Sequence, residues 1–195
     1  MLEFRAIGTD YVSATAAVPT QNSIGYAVRA GLDYAGSSIW RFRALIGYEV
    51  RDFQSSAFSQ RSSPVGEANV IWMPTGLTTV TGRIARTIED ANNATIAGYD
   101  YTSALLSVDH EYLRNVLLRG YVGFEHANYV GTSASETFYQ LGLGATWLFN
   151  RNMRLSITYN IVNHAGNTGG QPLTSPVKGG TYLQNIMLVQ ARFQL

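Results

Sequence analysis

The densest acid–base group in these 195 residues is Asp109-His110-Glu111. General acid–base work needs two such groups to converge on one substrate atom. Neighbouring residues of an extended chain point to opposite faces, and the surrounding "HEYLRN" reads as a short exposed turn, so convergence is not expected. His126 falls near the far end of the following apolar segment, roughly ten strand residues or about 30 Å away, which excludes a site shared with His110. The third histidine, His164, follows Asn163 at the start of "NHAGNTGGQPLTSPVKGG". The Gly, Pro, Ser and Thr of that stretch predict a long exposed loop, able to constrict a mouth or meet a surface ligand.

Other chemistries fare no better. No serine stands with a histidine and a carboxamide at a recognisable acyl-transfer spacing. Gly142-Leu143-Gly144 lacks the third glycine and the helix of a phosphate cradle. Asp10, Asp52, Glu89, Asp90 and Glu136 are placed as rim charges, open to water, divalent cations or lipopolysaccharide. The expectation is no enzyme: no catalytic residue, no bound cofactor and no metal.

The charges that do form a pattern are the arginines. Two-residue alternation puts Arg5, Arg29, Arg41, Arg43, Arg51, Arg83, Arg119, Arg154 and Arg192 on the polar side of successive segments, with Glu3, Asp33, Glu49, Glu67 and Glu125. An enclosed charge needs water or a partner, since an unpaired buried ion is costly. Two readings stay open. Either a water-filled lumen has an arginine-rich wall that favours anions and sugar hydroxyls and carboxylates, or internal ion pairs knit a narrow barrel shut.

These side chains are positioned by strands. Helix-period apolar patterning is scarce, whereas alternation recurs throughout. Trp40, Phe42, Ala44, Ile46, Tyr48 and Val50 oppose Arg41, Arg43, Leu45, Gly47, Glu49 and Arg51. Segments 24–34, 116–125, 139–149, 153–160 and 189–195 divide in the same way, and weaker ones lie near 2–10, 65–74, 77–88 and 95–109. That makes about ten strands, an even number as single-chain bacterial barrels have. Short links ("AGSS", "MPTGL", "HEYLRN", "FNRN") alternate with long polar ones at 11–22, 52–64, 89–95, 128–136 and 163–181. Short turns on one rim and long loops on the other is the outer-membrane pattern, with both termini on the short-turn, periplasmic side.

Aromatics mark the ends of the apolar stripes. Tyr26 and Tyr34, Trp40 and Tyr48, and Tyr139 and Trp147 are each eight positions apart. At about 3.3 Å per residue and a tilt near 40° that is roughly 20 Å along the membrane normal, close to the usual apolar band. Tyr26, Tyr34, Trp40, Tyr48, Trp72, Phe124, Tyr139, Trp147, Phe149, Tyr159 and Phe193 are therefore the expected lipid-facing girdle. The alternative is a soluble sandwich in which aromatics are ordinary strand formers.

Composition agrees with the membrane reading. Hydrophobic residues make up 46% and charged ones only 14%, and a single lysine, Lys178, stands among fourteen basic residues. No run reaches the roughly 18 apolar residues of a membrane helix, which leaves the closed barrel open. A net charge of +1 gives no basic footprint for nucleic acid. Cysteine is absent, so disulfides and thiolate chemistry are excluded. "MLEFRAIGTDYV" has none of the parts of a signal peptide, so an exported protein would have its leader outside this sequence.

Several stretches, "ANVIWMPTGLTTVTGRIARTIED", "LLSVDHEYLRNVLLRGYVGFEHANY", "LGLGATWLFNRNMRLSITYNIVNHAGN" and "YLQNIMLVQARFQL", resemble the C-terminal half of the putative β-barrel porin 2 family. The similarity runs from about Pro64 onward and is weaker before it. It rests most on Trp72-Met73-Pro74-Thr75, Leu77-Thr78-Thr79 and "LFNRN". The resemblance implies a Gram-negative outer-membrane barrel, with some members associated with exopolysaccharide export, and a terminal strand that the insertion machinery reads. Members are usually about twice as long and begin with a signal peptide, and the last residue is Leu195 where the general signature prefers Phe.

The expected architecture is thus all-β: an antiparallel up-and-down transmembrane barrel, one domain over 1–195, complete in itself or part of a larger barrel. The expected role is a porin-like or export channel in the bacterial outer membrane for small polar or anionic solutes or exopolysaccharide, by passive passage. A closed structural or adhesive barrel is the alternative. Expected partners are lipid and lipopolysaccharide, the insertion machinery and polysaccharide.

Overall fold

The computed structural model describes residues 1–11, 20–91, 96–170 and 179–194. They form one antiparallel sheet of ten strands in sequence order: β1 (Leu2–Thr9), β2 (Ser23–Tyr34), β3 (Trp40–Phe53), β4 (Arg61–Thr75), β5 (Thr78–Asp90), β6 (Gly98–Leu113), β7 (Val116–Tyr129), β8 (Ser135–Asn150), β9 (Met153–Asn167) and β10 (Gly180–Phe193). Every strand pairs with its sequence neighbour, the arrangement that short hairpins enforce. β1 and β10 are the two edges.

Strand ends joined through 35–39, 76–77, 114–115 and 151–152 lie at one rim, and the strand ends on either side of 10–22, 54–60, 91–97, 130–134 and 168–179 lie at the other. Each two-residue turn is preceded by a register shift, between Trp72 and Thr75, Glu111 and Leu113, and Leu148 and Asn150. No described residue other than glycine has positive φ, so these turns are not of the primed type that matches strand twist, and the shifts take up the mismatch. Asp109, His110 and Glu111 lie inside β6, and the turn is Arg114 and Asn115; the trio alternates faces rather than forming a turn.

The register makes the two faces continuous across strands. One row runs Ala44, Ala68, Ile84, Ala104, Phe124, Tyr139; a row on the opposite face runs Asp109, Arg119, Gly144, Thr158, Leu188. The first face is no protein core, since Ile46 is 74% exposed, Phe4 72% and Leu32 68%. Burial instead gathers on the polar face, at Ala27, Leu45 and Val65, and in a cluster of Ala91, Ile96, Ala127, Tyr129 and Ala134 at the long-loop end. A sheet with exposed hydrocarbon on one face and polar groups on the other is suited to a solvent other than water on the first.

On the polar face Tyr121, Gly142 and Asn160 form one row over β7, β8 and β9. A Cβ on Gly142 would lie 2.0 Å from Tyr121 Cε1. The glycine therefore lets the phenol ring lie across β8, where its hydroxyl donates to Asn160 Oδ1 at 3.0 Å.

Candidate functional site

The polar face carries most of the charge, organised by depth, and Arg86, Asp90 and Asp100 near the long-loop rim have the parity of the other face. Near mid-height, Glu3, Arg29, Arg43 and Glu67 from β1 to β4 form a ring of alternating sign. Arg29 pairs with Glu3 and, at 3.8 Å, with Glu67; Arg43 pairs with Glu67 at 3.3 Å and Glu3 at 3.7 Å. Gly47, the cross-strand partner of Arg29, lets β2 and β3 approach closely, for a Cβ there would stand 1.9 Å from the carbonyl oxygen of Val28 and 2.8 Å from Arg29 Cγ.

Toward the long-loop rim two further clusters stitch a seam. β4 and β5 pair from Thr75 and Thr78 up to Gly66 and Arg86 and no further, although both strands continue. Into this fork Arg51 reaches from β3, bonding Asp90, Glu49 (2.9 Å) and the carbonyl of Ile88. Above it, Asp100 accepts from Arg61 and from Arg86 Nη2 (3.2 Å), while Arg86 Nε donates to the carbonyl of Pro64 at 3.2 Å. Side chains thus replace ladder bonds that the backbone does not make. Tyr11, packed beside Asp90, has its phenol pKa pushed up, by desolvation first and by that carboxylate second.

The same end of β7 to β10 holds Tyr129, Glu136, Phe138, His164 and Tyr182. His164 is fully buried in β9 rather than opening a loop, and its ring lies between Phe138 and Tyr182 with centroids at 4.6 and 4.7 Å. Glu136, placed by sequence among solvated rim charges, accepts from Tyr129 at 3.2 Å and lies 3.6 Å from His164 Nε2. Asp90 is likewise an ion-pair partner rather than a free rim charge, whereas Asp10 and Asp52 are exposed. Residues 171–178 of the long stretch after Asn163, with Lys178, lie outside the described residues.

Of the ten side chains expected on the lumen wall, the register puts all on one sheet face: Arg29, Arg41, Arg43, Glu49, Arg51, Arg83, Arg119, Glu125, Arg154 and Arg192. They divide into two kinds. Arg29, Arg43 and Arg51 are paired as above, Arg119 grips Asp109 through two bonds of 2.6 and 3.0 Å, and Glu125 accepts from Gln140 at 3.1 Å. Arg41, Arg83, Arg154 and Arg192, with Arg5, are exposed and have no ion pair among the described residues. Arg41, Arg83, Arg154 and Arg192 belong to the half of the sheet nearer the short turns, and Arg5, opposite Ala27, to the other half. Arg61 and Arg86 were outside the expected set. Arg61 precedes Pro64 in a stretch that reads as a loop, and Arg86 lies on the opposite parity, so only pairing across strands reveals their shared acid.

The expected girdle residues share the apolar face. There Trp40 stacks on Trp72 (centroids 5.3 Å), Tyr34 on Phe42 (5.3 Å), Trp147 on Phe149 (3.8 Å), and Phe124 meets Tyr139 at 5.4 Å. Tyr26, Tyr48, Tyr159 and Phe193 are exposed on the same side, while Leu195 lies outside the described residues. The rings of His110 and His126 bond to threonines, Thr78 and Thr137, each at 2.9 Å. Among the described residues no three His, Asp or Glu converge as metal ligands would.

Comparison with curated proteins found no match. The family comparison is positive: the model described as Putative beta-barrel porin 2 matches residues 6–195. The match begins within β1, well before the Pro64 from which resemblance was expected, and so takes in Arg29, Arg43 and Glu67 of the four-charge ring. With its up-and-down all-β sheet and an apolar face set against a charged one, the chain belongs to the Putative beta-barrel porin 2 family.

Proposed function

We propose that this chain forms the wall of an outer-membrane channel that passes small polar solutes, anions by preference, by passive diffusion. One observation carries the reading: five arginines with no ion pair among the described residues, Arg5, Arg41, Arg83, Arg154 and Arg192, share the face opposite the lipid-type face. Guanidinium stays charged at any physiological pH, so such a face in a water-filled lumen attracts anions and repels cations. The family, named for porins, supports a channel without enzymatic chemistry and an outer-membrane location. Lipid, lipopolysaccharide and the insertion machinery acting on β10 are the proposed partners. Exopolysaccharide is a proposed cargo only for a barrel wider than these strands enclose alone.

The test is reversal potential in planar bilayers under a potassium chloride gradient. Anion selectivity is expected, and Arg41→Gln with Arg83→Gln should move it toward zero. Cation selectivity, or indifference to these substitutions, would refute the arginine wall. The ring of Glu3, Arg29, Glu67 and Arg43 favours a second reading, a barrel closed by internal ion pairs whose long loops bind surface partners. That reading requires the absence of stable openings.

A further inference from the structure

The register brings two pairs of arginines directly opposite each other on the polar face. Arg51 faces Arg61 across β3 and β4, and Arg154 faces Arg192 across β9 and β10. Like charges in that position repel. At the first pair the repulsion is cancelled within the protein, because Glu49 and Asp90 hold Arg51 and Asp100 holds Arg61. The second pair has no such relief: no carboxylate pairs with Arg154 or Arg192 among the described residues, nor with Arg151 on the adjoining turn.

The surroundings of the second pair are polar and hollow. A cavity of about 240 Å³ at the short-turn rim is lined by Arg151, Arg154 and Arg192 and by Asn150, Asn152 and Gln194, with the apolar Leu148 and Met153 beside them. Six polar side chains, three of them cationic, thus surround one space. One row further in, Thr146 and Ser156 are hydrogen-bonded to each other at 3.0 Å. They open, with Gln190, Thr158 and Asn160, a second cavity of about 530 Å³ on the same face. Its arginine, Arg119, is already held by Asp109. An anion would therefore be gathered at the rim by free guanidinium groups and passed to neutral hydroxyls and amides.

We propose that Arg151, Arg154 and Arg192 form a recruiting site for the phosphate group of small solutes at the short-turn mouth. Three guanidinium forks suit an oxyanion with several acceptor oxygens and more than one negative charge, whereas chloride offers no fork geometry. A lipid phosphate would have the same chemistry. Arg154 and Arg192 nevertheless lie on the face opposite Trp147 and Phe193, which favours a solute in the lumen. The inference deepens the proposed function and rests on reading this face as a lumen.

The test uses the whole chain refolded in phosphate-free detergent micelles, with inorganic phosphate followed by ³¹P NMR, and separately in phosphatidylcholine planar bilayers. Saturable phosphate binding is expected, weakened about tenfold or more by Arg154→Gln with Arg192→Gln and unchanged by Arg114→Gln on a neighbouring turn. The circular dichroism of each variant must match the parent; should the double variant fail to fold, Arg151→Gln alone must weaken binding. Phosphate should also block the chloride current from the short-turn side. Binding without any current would refute the channel and leave the site standing. Current without binding, or binding insensitive to these arginines, would overturn the site alone. Displacement of phosphate by micellar phosphatidylglycerol would reassign the site to a lipid headgroup and overturn the solute.

Discussion

Tyr121, Gly142 and Asn160 illustrate what a single residue contributes where a barrel wall has no conventional core. The phenol crosses β8 only because Gly142 has no Cβ, which would stand 2.0 Å from the ring. Gly142→Val forces the ring aside, and overpacking of this kind costs about 1–3 kcal/mol. Tyr121→Phe loses only the bond to Asn160, about 0.5–1.5 kcal/mol. Urea unfolding in phosphatidylcholine vesicles should rank the two in that order, and Gly142→Val should cost much less once Tyr121 is already Ala. Equal costs in both backgrounds would show that ring and glycine are uncoupled. On the opposite face Leu143 is 59% exposed with no water-binding role. Leu143→Arg puts a charge into hydrocarbon and should destabilise by about 2–4 kcal/mol in vesicles, while Thr158→Arg on the polar face should cost far less. Parity of the two results would argue that the faces meet the same solvent.

At the level of elements, the strands are longer than a bilayer requires. β6 and β8 have 16 residues each, against about 9–11 for a crossing. The excess lies at the long-loop end, where the ion-pair clusters and the buried His164 sit. Alternation makes face and strand number legible in the sequence, because period two is a property of each segment alone. It cannot show which strand meets which, so the acid shared by Arg61 and Arg86, and the stacking of Phe138, His164 and Tyr182, come only from the fold. Pro64 misleads for a related reason. Lacking an N–H it reads as a loop residue, yet its carbonyl accepts from Arg86, so its missing donor falls in the fork where β4 and β5 have stopped pairing. Asp100 holds that fork. Asp100→Asn leaves Arg61 and Arg86 without their carboxylate and should cost about 1.5–3 kcal/mol, as for bonds to charged groups. Amide exchange should speed up first at residues 87–90. Uniform acceleration along β5 would mean that the fork is not held locally.

For the whole molecule the unresolved demand is at the edges. β10 is exposed along its full length, 14 residues with both faces uncovered, and β1 offers eight residues at the other end. Unpaired N–H and C=O groups are tolerable in water but cost several kcal/mol each in hydrocarbon, so in a membrane both edges must find partners. With ten strands the first and last run antiparallel, and both have their short-turn ends at the same rim, which is the geometry that a self-closing barrel needs. The polar face of β1 carries Glu3 and Arg5, that of β10 Gln190 and Arg192, so closure keeps charge inside and Phe4, Val189 and Phe193 outside. Refolded in micelles, the chain should therefore migrate on a gel differently before and after boiling, at the mass of one copy. A shift seen only at the mass of a multiple of the chain would mean that strands of other copies complete the sheet. Identical mobility with and without boiling would show that these ten strands do not close by themselves.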